Sequence, residues 1–164
     1  MFAPQIIEKA RQIIEKSISN RTMVATGESC TGGLVAAALT EIAGSSAVVD
    51  RGFVTYSNEA KNALLGVPES LIEDHGAVSA EVAEAMVIGV LQSSRADHAV
   101  AVTGIAGPGG GSDEKPVGLV YISAGSRGKA PLVSKELFGD IGRAEVREAT
   151  VIRALDLLYA ELRP

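Results

Sequence analysis

The sequence predicts a single-domain α/β protein, folded as a three-layer α/β/α sandwich around a mixed sheet. The chain has 164 residues, the usual size of one domain, and no repeat, linker or charge block divides it. Apolar residues make up 46% and charged residues 21%, a balance typical of globular proteins. Segments with helical periodicity alternate with short β-branched segments, and this alternation places helices on both faces of a sheet.

The amino-terminal part predicts alternating helices and strands. In order, these are a helix with the apolar stripe Ile6, Ile7, Ala10, Ile13 and Ile14, a strand over 22–26, a helix over 31–43, a strand over 48–56, and a helix over 57–65. Gly44 and Gly66 fit the position just after a helix, where the backbone becomes left-handed. Ser57 can cap the helix that follows it.

The carboxyl-terminal part predicts helices at both ends and strands between them. In order, these are a short helix from Pro68 to Gly76, a long helix from Ser79 to about Gln92, strands over 99–103, 117–123 and 132–138, and a closing helix over 143–162. The closing helix is expected to bury Val146, Ala149, Ile152, Leu155 and Leu158. Because no helix separates the last three strands, neighbours there can be antiparallel, which makes the sheet mixed.

Composition and charge disfavour several classes of function. The formal charge is −5, aromatic residues make up 4% and tryptophan is absent, so a nucleic-acid binder is disfavoured. The single cysteine, Cys30, can form no intrachain disulfide and has no neighbours at zinc-ligand spacing. Charged residues interrupt the first twenty positions, and no apolar stretch approaches the roughly 18 residues that span a membrane. We therefore expect a cytoplasmic protein without a metal site.

The segment Gly27-Glu28-Ser29-Cys30-Thr31-Gly32-Gly33 lies between a predicted strand and a predicted helix. Unpaired N–H groups and the helix dipole allow such a turn to bind an oxyanion or a phosphate. Ser29 or Thr31 can present a hydroxyl there, but either residue can equally serve as a helix cap. Cys30 is a rival nucleophile, although no histidine is adjacent to it in sequence and a buried, inert thiol is the favoured interpretation.

Two further segments offer candidate residues. Tyr56 lies at the end of a predicted strand and Lys61 one helical turn beyond it, so both can reach the same edge of the sheet. A lysine acts as a base only when it is neutral, which requires burial or a nearby cation; taken alone, this segment favours a solvated lysine. The glycine loop 104–112 lacks the features of a dinucleotide fingerprint and of a P-loop, which leaves a substrate loop or a plain connector.

Together these motifs resemble the CinA C-terminal domain family. The matching runs are Glu28-Ser29-Cys30-Thr31-Gly32-Gly33, Gly44-Ser45-Ser46, Arg51 to Lys61, His75-Gly76-Ala77-Val78-Ser79, Thr103 to Pro108, Gly110-Gly111-Ser112 and Lys115-Pro116-Val117-Gly118. The flanking helices also fit, so the resemblance covers the chain from residue 1 to residue 164. Larger members of the family carry an additional molybdopterin-binding-like domain, and this chain resembles the stand-alone enzyme.

The resemblance implies a hydrolase of the PncC type, which converts nicotinamide mononucleotide (NMN) and water to nicotinate mononucleotide and ammonia. The family pattern implies Ser29 as the nucleophile, Lys61 as the base and Tyr56 as a supporting residue. It implies substrate-binding roles for Thr31, Gly32, Gly33, Ser46, Thr103, Gly104 and Arg143, with Arg147 as an alternative to Arg143. Hydrolysis by this route needs no metal and no cofactor.

Four questions stay open at this stage. A non-catalytic nucleotide-binding or regulatory module, linked to competence and DNA damage, is the alternative from another class of function. A thiol amidase that uses Cys30 shares the reaction but not the nucleophile. The exposed helix faces would allow a homo-oligomer, and related amides are not excluded as substrates.

Overall fold

A computed structural model describes residues 1–164 as six α-helices and five β-strands in the predicted order. The elements are α1 (Pro4–Asn20), β1 (Val24–Glu28), α2 (Leu34–Thr40), β2 (Val49–Val54), α3 (Asn58–Leu65), α4 (Glu69–His75), α5 (Ala80–Gln92), β3 (His98–Gly104), β4 (Leu119–Ser126), β5 (Leu132–Leu137) and α6 (Arg143–Glu161). One turn of 3-10 helix, Ser45–Ala47, precedes β2. None of the helices is both long and apolar enough to cross a membrane.

The five strands form one mixed sheet with the order β2-β1-β3-β4-β5. Strand β1 pairs in parallel with β2 on one side and with β3 on the other. Strand β4 runs antiparallel to β3, and β5 runs antiparallel to β4. The prediction of a mixed sheet is confirmed. Since β1, β2 and β3 are parallel, their carboxyl ends meet at one edge, which we call the carboxyl edge of the sheet.

Helices cover both faces of the sheet, which confirms the three-layer sandwich. Helices α1, α2 and α6 bury their apolar residues against one face, where Val100 and Val102 of β3 contribute to the core. Helix α5 and the residues that end α3 cover the other face, where Ala99 and Ala101 of the same strand lie. Successive strand residues point to opposite faces, so β3 supplies side chains to both cores.

Two element boundaries near the carboxyl edge differ from the prediction. Strand β1 continues past Thr26 to Glu28, because neighbouring strands hydrogen-bond it on both sides. Helix α2 begins at Leu34 rather than at Thr31, because Gly32 and Gly33 have φ angles of 59° and 102°, in the left-handed region that ends or precedes a helix. A turn over 29–33 therefore lies between the strand and the helix.

The carboxyl-terminal elements also differ in detail. Helix α6 buries Val146, Thr150, Val151, Ala154, Leu155, Leu157 and Leu158. Ala149 and Ile152, which were expected to face inward, are only half-buried. The buried surface of α6 is wider than a single stripe, because the helix packs against α1 as well as against the sheet. Strand β4 begins at Leu119 and not at Val117, because Gly118 has a φ of 89°.

Candidate active site

A cleft of about 250 Å³ opens at the carboxyl edge of the sheet. It is lined by Ser29, Cys30, Tyr56, Asn58, Lys61, Ala77, Val78, Thr103, Gly104, Ala106 and Arg143. These residues come from the turn after β1, the junction of β2 with α3, the α4–α5 connection, the end of β3 and the start of α6. The lining contains the Arg143 guanidinium and no carboxylate, so the cleft suits an anionic ligand.

Ser29 and Lys61 form a hydrogen-bonded pair on the floor of this cleft. The Lys61 Nζ donates to the Ser29 Oγ at 3.0 Å and to the carbonyl oxygen of Thr55 at 2.9 Å. Lys61 is 1% exposed, so the interpretation of a solvated surface lysine is wrong. Its side chain extends from α3 toward the turn after β1 instead of into solvent, which brings together two residues 32 positions apart.

The environment of Lys61 favours a neutral amine. Burial lowers the pKa of Lys61 below its usual value, because a buried ammonium loses its hydration. Both acceptors of its hydrogen bonds are uncharged oxygens, and no carboxylate forms a salt bridge with it. A neutral amine hydrogen-bonded to a serine hydroxyl can accept the hydroxyl proton.

Cys30 follows Ser29 in the chain, and its thiol is buried and protonated. Burial raises the pKa of the Cys30 thiol to about 11, which keeps the thiol protonated at neutral pH. A thiolate, and not a thiol, is the nucleophilic form of cysteine. The protonated state of the Cys30 thiol therefore favours Ser29 as the nucleophile.

The Glu28 side chain, at the end of β1, caps the amino terminus of α2. Its carboxylate is 1% exposed and accepts five hydrogen bonds. The donors are the hydroxyls of Thr26 (3.4 Å) and Thr31 (2.6 Å) and the N–H groups of Gly33 (3.0 Å), Val35 (3.1 Å) and Ala36 (2.9 Å). The helix dipole, which was expected to favour a substrate anion, is thus compensated by the protein's own carboxylate. Sequence reasoning quoted Glu28 in a motif and gave it no role.

The turn after β1 leaves the N–H groups of the two residues that follow Ser29 without an acceptor. The Ser29 N–H bonds the Val102 carbonyl at 3.0 Å, and the Gly32 N–H bonds the Ser29 carbonyl at 3.0 Å. The N–H groups of Cys30 and Thr31 have no acceptor within the chain. Free N–H groups adjacent to a nucleophile are the groups that can bind an oxyanion.

Tyr56 and Arg143 meet at the rim of the cleft. The Arg143 Nη2 donates to the Tyr56 hydroxyl at 2.9 Å, and its Nη1 donates to the Gly107 carbonyl at 2.8 Å. Both side chains are solvent-accessible. Arg147, which lies one helical turn further along α6, instead donates to the carbonyls of Cys30 and Thr31 and is absent from the cleft lining.

Of the other residues predicted from the sequence, some line the cleft and others do not. Thr103 and Gly104 line the cleft, and the Thr103 hydroxyl donates to the Ala77 carbonyl at 2.7 Å. Ser46 lies in the exposed turn before β2, at the opposite edge of the sheet, and does not reach the cleft. The Thr31 hydroxyl, Gly32 and Gly33 do not line it either, since the Thr31 hydroxyl and the Gly33 N–H bond Glu28 while the Gly32 N–H bonds Ser29; among these three residues the Thr31 N–H alone is left without an acceptor.

Four lining residues were not predicted as site residues from the sequence: Asn58, Ala77, Val78 and Ala106. Asn58 begins α3 three positions before Lys61, and this spacing places both on one face of the helix. That spacing was visible in the sequence. Ala77 and Val78 lie in a connection between two helices, and nothing in their chemistry indicates a site.

The fold and the site define an α/β/α protein with a serine–lysine pair in a cleft free of carboxylates. The chain belongs to the CinA C-terminal domain family, whose sequence profile matches residues 7–162. Nicotinamide-nucleotide amidohydrolase PncC of Escherichia coli (strain K12) is 46% identical to it over 162 residues, which cover 98% of this chain and 97% of that protein. The family resemblance inferred from the motifs is confirmed.

Two further comparisons show the range of the family. A competence-damage inducible protein of Caldicellulosiruptor bescii is 46% identical over 157 residues; the match covers 93% of this chain but only 38% of that longer protein. The crystal structure of the competence/damage inducible protein CihA from Agrobacterium tumefaciens has a TM-score of 0.98 and 56% identity, and the match covers 99% of both chains. The same fold therefore occurs both as a separate chain and as part of a longer one.

Proposed function

We propose that this protein hydrolyses the carboxamide of NMN to give nicotinate mononucleotide and ammonia, with Ser29 as the nucleophile and Lys61 as the base. The observation that carries the proposal is the 3.0 Å hydrogen bond between the buried Lys61 amine and the Ser29 hydroxyl. The reaction and the substrate are supported by the names of relatives from E. coli and Enterobacter agglomerans, both of which are nicotinamide-nucleotide amidohydrolases.

The first half of the reaction forms an ester on Ser29. Neutral Lys61 accepts the hydroxyl proton as the Ser29 Oγ attacks the carboxamide carbon, and the carbonyl electron pair moves to the oxygen. The free N–H groups of Cys30 and Thr31 bind this oxyanion. When the intermediate collapses, the C–N bond breaks and the Lys61 ammonium returns its proton to the nitrogen, which leaves as ammonia.

The second half of the reaction hydrolyses this ester. A water molecule attacks the acyl carbon while Lys61 accepts its proton, and the C–O bond to Ser29 then breaks. Lys61 returns the proton to the Ser29 Oγ, so the enzyme is regenerated and nicotinate mononucleotide is released. The cationic pyridinium ring of the substrate makes the amide carbon more electrophilic, and its charge favours the neutral form of Lys61.

Arg143 is the group that we assign to the substrate phosphate, together with Tyr56 at the rim. A guanidinium makes strong charge-assisted hydrogen bonds to phosphate, and no carboxylate in the cleft competes for it. Thr103 and Gly104 form part of the floor between the two ends of the cleft. We therefore expect free nicotinamide, which lacks the ribose phosphate, to be a poor substrate.

Ammonia release from NMN by the purified protein tests the proposal. We expect turnover in the wild type, no detectable turnover with retained binding of NMN in Ser29→Ala, and near-normal turnover in the matched variant Cys30→Ala. Loss of activity in Cys30→Ala with activity kept in Ser29→Ala would assign the nucleophile to the thiol. Binding of NMN without any ammonia in the wild type would instead support a nucleotide-binding module.

A further inference from the structure

Arg147 contacts the turn after β1 (residues 29–33) and does not line the cleft. Its Nε donates to the Cys30 carbonyl at 3.1 Å, and its Nη2 donates to the Thr31 carbonyl at 3.0 Å. The side chain is half-buried and forms no salt bridge, so the whole guanidinium serves main-chain carbonyls 116 and 117 positions away. An arginine used in this way fixes backbone geometry.

The Cys30 carbonyl depends on this one contact. The Thr31 carbonyl also accepts the Leu34 N–H at 3.2 Å, but the Cys30 carbonyl has no other donor within the chain. The peptide bond that joins Cys30 to Thr31 is trans, since the Gly107–Pro108 bond is the one cis bond. In a trans peptide the C=O and the N–H point in opposite directions. A carbonyl held toward α6 therefore directs the Thr31 N–H away from α6.

From this geometry we infer that Arg147 is a positioning residue, which aims the free N–H of Thr31 at the oxyanion formed on Ser29. The inference rests on the proposed function. The hydrogen bond from the Arg147 Nε to the Cys30 carbonyl also polarises the Cys30–Thr31 peptide, which strengthens its N–H as a donor. Without the guanidinium the Cys30 carbonyl loses its one donor within the chain, so nothing fixes the orientation of this peptide plane from the side of α6.

Positioning of the Thr31 N–H and binding of the phosphate predict different kinetic effects of an Arg147 substitution. A residue that binds substrate equally in the ground state and in the transition state changes KM, whereas one that acts only on the oxyanion changes kcat. Arg147→Met removes both donors while keeping an unbranched apolar stem. We expect this variant to lower kcat for NMN by about a hundredfold, in the range found when one oxyanion donor is lost. We expect KM to stay within about threefold, because Arg143 is intact.

The decisive experiment compares NMN with its thioamide analogue, in which sulfur replaces the carboxamide oxygen. Sulfur is a poor hydrogen-bond acceptor, so an enzyme with an aligned oxyanion donor prefers the amide. We expect Arg147→Met to reduce this preference by about tenfold, Arg147→Lys to restore part of it, and Arg153→Met, a control on the same helix, to keep the wild-type ratio. As a readout independent of turnover, the ¹⁵N shift of the Thr31 amide should move in Arg147→Met and not in Arg153→Met.

The possible outcomes distinguish a failure of the Arg147 inference from a failure of the proposed function. A rise in KM at constant kcat would show that Arg147 binds the phosphate, and the inference would be overturned. A fall in kcat with an unchanged amide-to-thioamide ratio and an unmoved Thr31 shift would reduce Arg147 to a structural role. Wild-type protein that releases no ammonia from NMN would remove the proposed function itself, and the inference with it.

Discussion

Glu28 and Lys61 are both buried charged residues at the carboxyl edge of the sheet, yet their surroundings are opposite. Each is 1% exposed. Glu28 accepts five hydrogen bonds, three of them from the amino terminus of α2. Lys61 has two hydrogen-bond partners, both uncharged, and no counter-ion. The fold therefore surrounds the carboxylate with donors and leaves the amine without a counter-ion, which favours the neutral form of the amine.

This difference distinguishes a structural charge from a reactive one. A carboxylate that is surrounded by N–H and O–H donors has its hydrogen-bonding capacity satisfied and is held in one position. An amine that is buried without a carboxylate has a lowered pKa and can exchange a proton with the serine beside it. Glu28 fixes the turn on which Ser29 lies, and Lys61 is hydrogen-bonded to Ser29 and accepts its proton in the proposed mechanism.

Lys61→Arg is expected to produce the largest effect, because arginine keeps a basic side chain but cannot become neutral. A guanidinium is not deprotonated in proteins, so it cannot accept the Ser29 proton. We expect kcat for NMN to fall by about a thousandfold, within the range for loss of a general base. Lys129→Arg, at an exposed position, is the control and should retain wild-type activity. An active Lys61→Arg enzyme would leave Tyr56 or a water molecule as the base.

Glu28→Ala is expected to act on stability. The change removes the acceptor of five buried or partly buried donors and exposes the α2 dipole. We expect the free energy of unfolding to fall by about 3 kcal/mol, measured by urea denaturation. Glu28→Gln keeps one oxygen acceptor and should cost less. If Glu28→Ala cost no more than Glu41→Ala, an exposed position at the end of α2, Glu28 would not be an anchor.

Lys61→Met is expected to stabilise the protein while inactivating it. A lowered pKa in the folded state means that the unfolded chain binds more protons between the folded-state pKa and the ordinary pKa. Burial of Lys61 therefore costs stability at every pH below the ordinary pKa, and the cost is full below the folded-state pKa. Methionine fills a similar volume without a charge, and we expect a gain of about 1–2 kcal/mol at neutral pH. The gain should shrink as pH rises toward the ordinary lysine pKa. Equal gains at pH 7 and at high pH would show that Lys61 is not destabilised by its charge.

Much of the fold was predictable because it depends on local patterns. The apolar stripe of α1 is buried at Ile6, Ala10, Ile13 and Ile14, as its spacing indicated, although Ile7 is only half-buried. The extension of β1 to Glu28 was not predictable, because glycine and glutamate have low strand propensity and only pairing on both sides holds them in the sheet.

The site was predictable in part. Ser29, Tyr56 and Lys61 each follow a strand that ends at the carboxyl edge, and the motif resemblance singled them out. The burial of Lys61 was not visible locally, because the cleft around it is completed by Thr103 and the α4–α5 connection, which are distant in sequence. The capping role of Glu28 also depends on tertiary structure, since its carboxylate reaches N–H groups five to eight positions ahead.

Direct titration of the Lys61 amine tests the central claim that this lysine is neutral when it acts. The side-chain NMR signal of Lys61, assigned by comparison with Lys61→Arg, can be followed against pH in the folded protein. The account predicts a midpoint well below the ordinary lysine value of about 10.4, coincident with the acidic limb of kcat/KM for NMN. A midpoint at or above the ordinary value, with full activity at neutral pH, would contradict it.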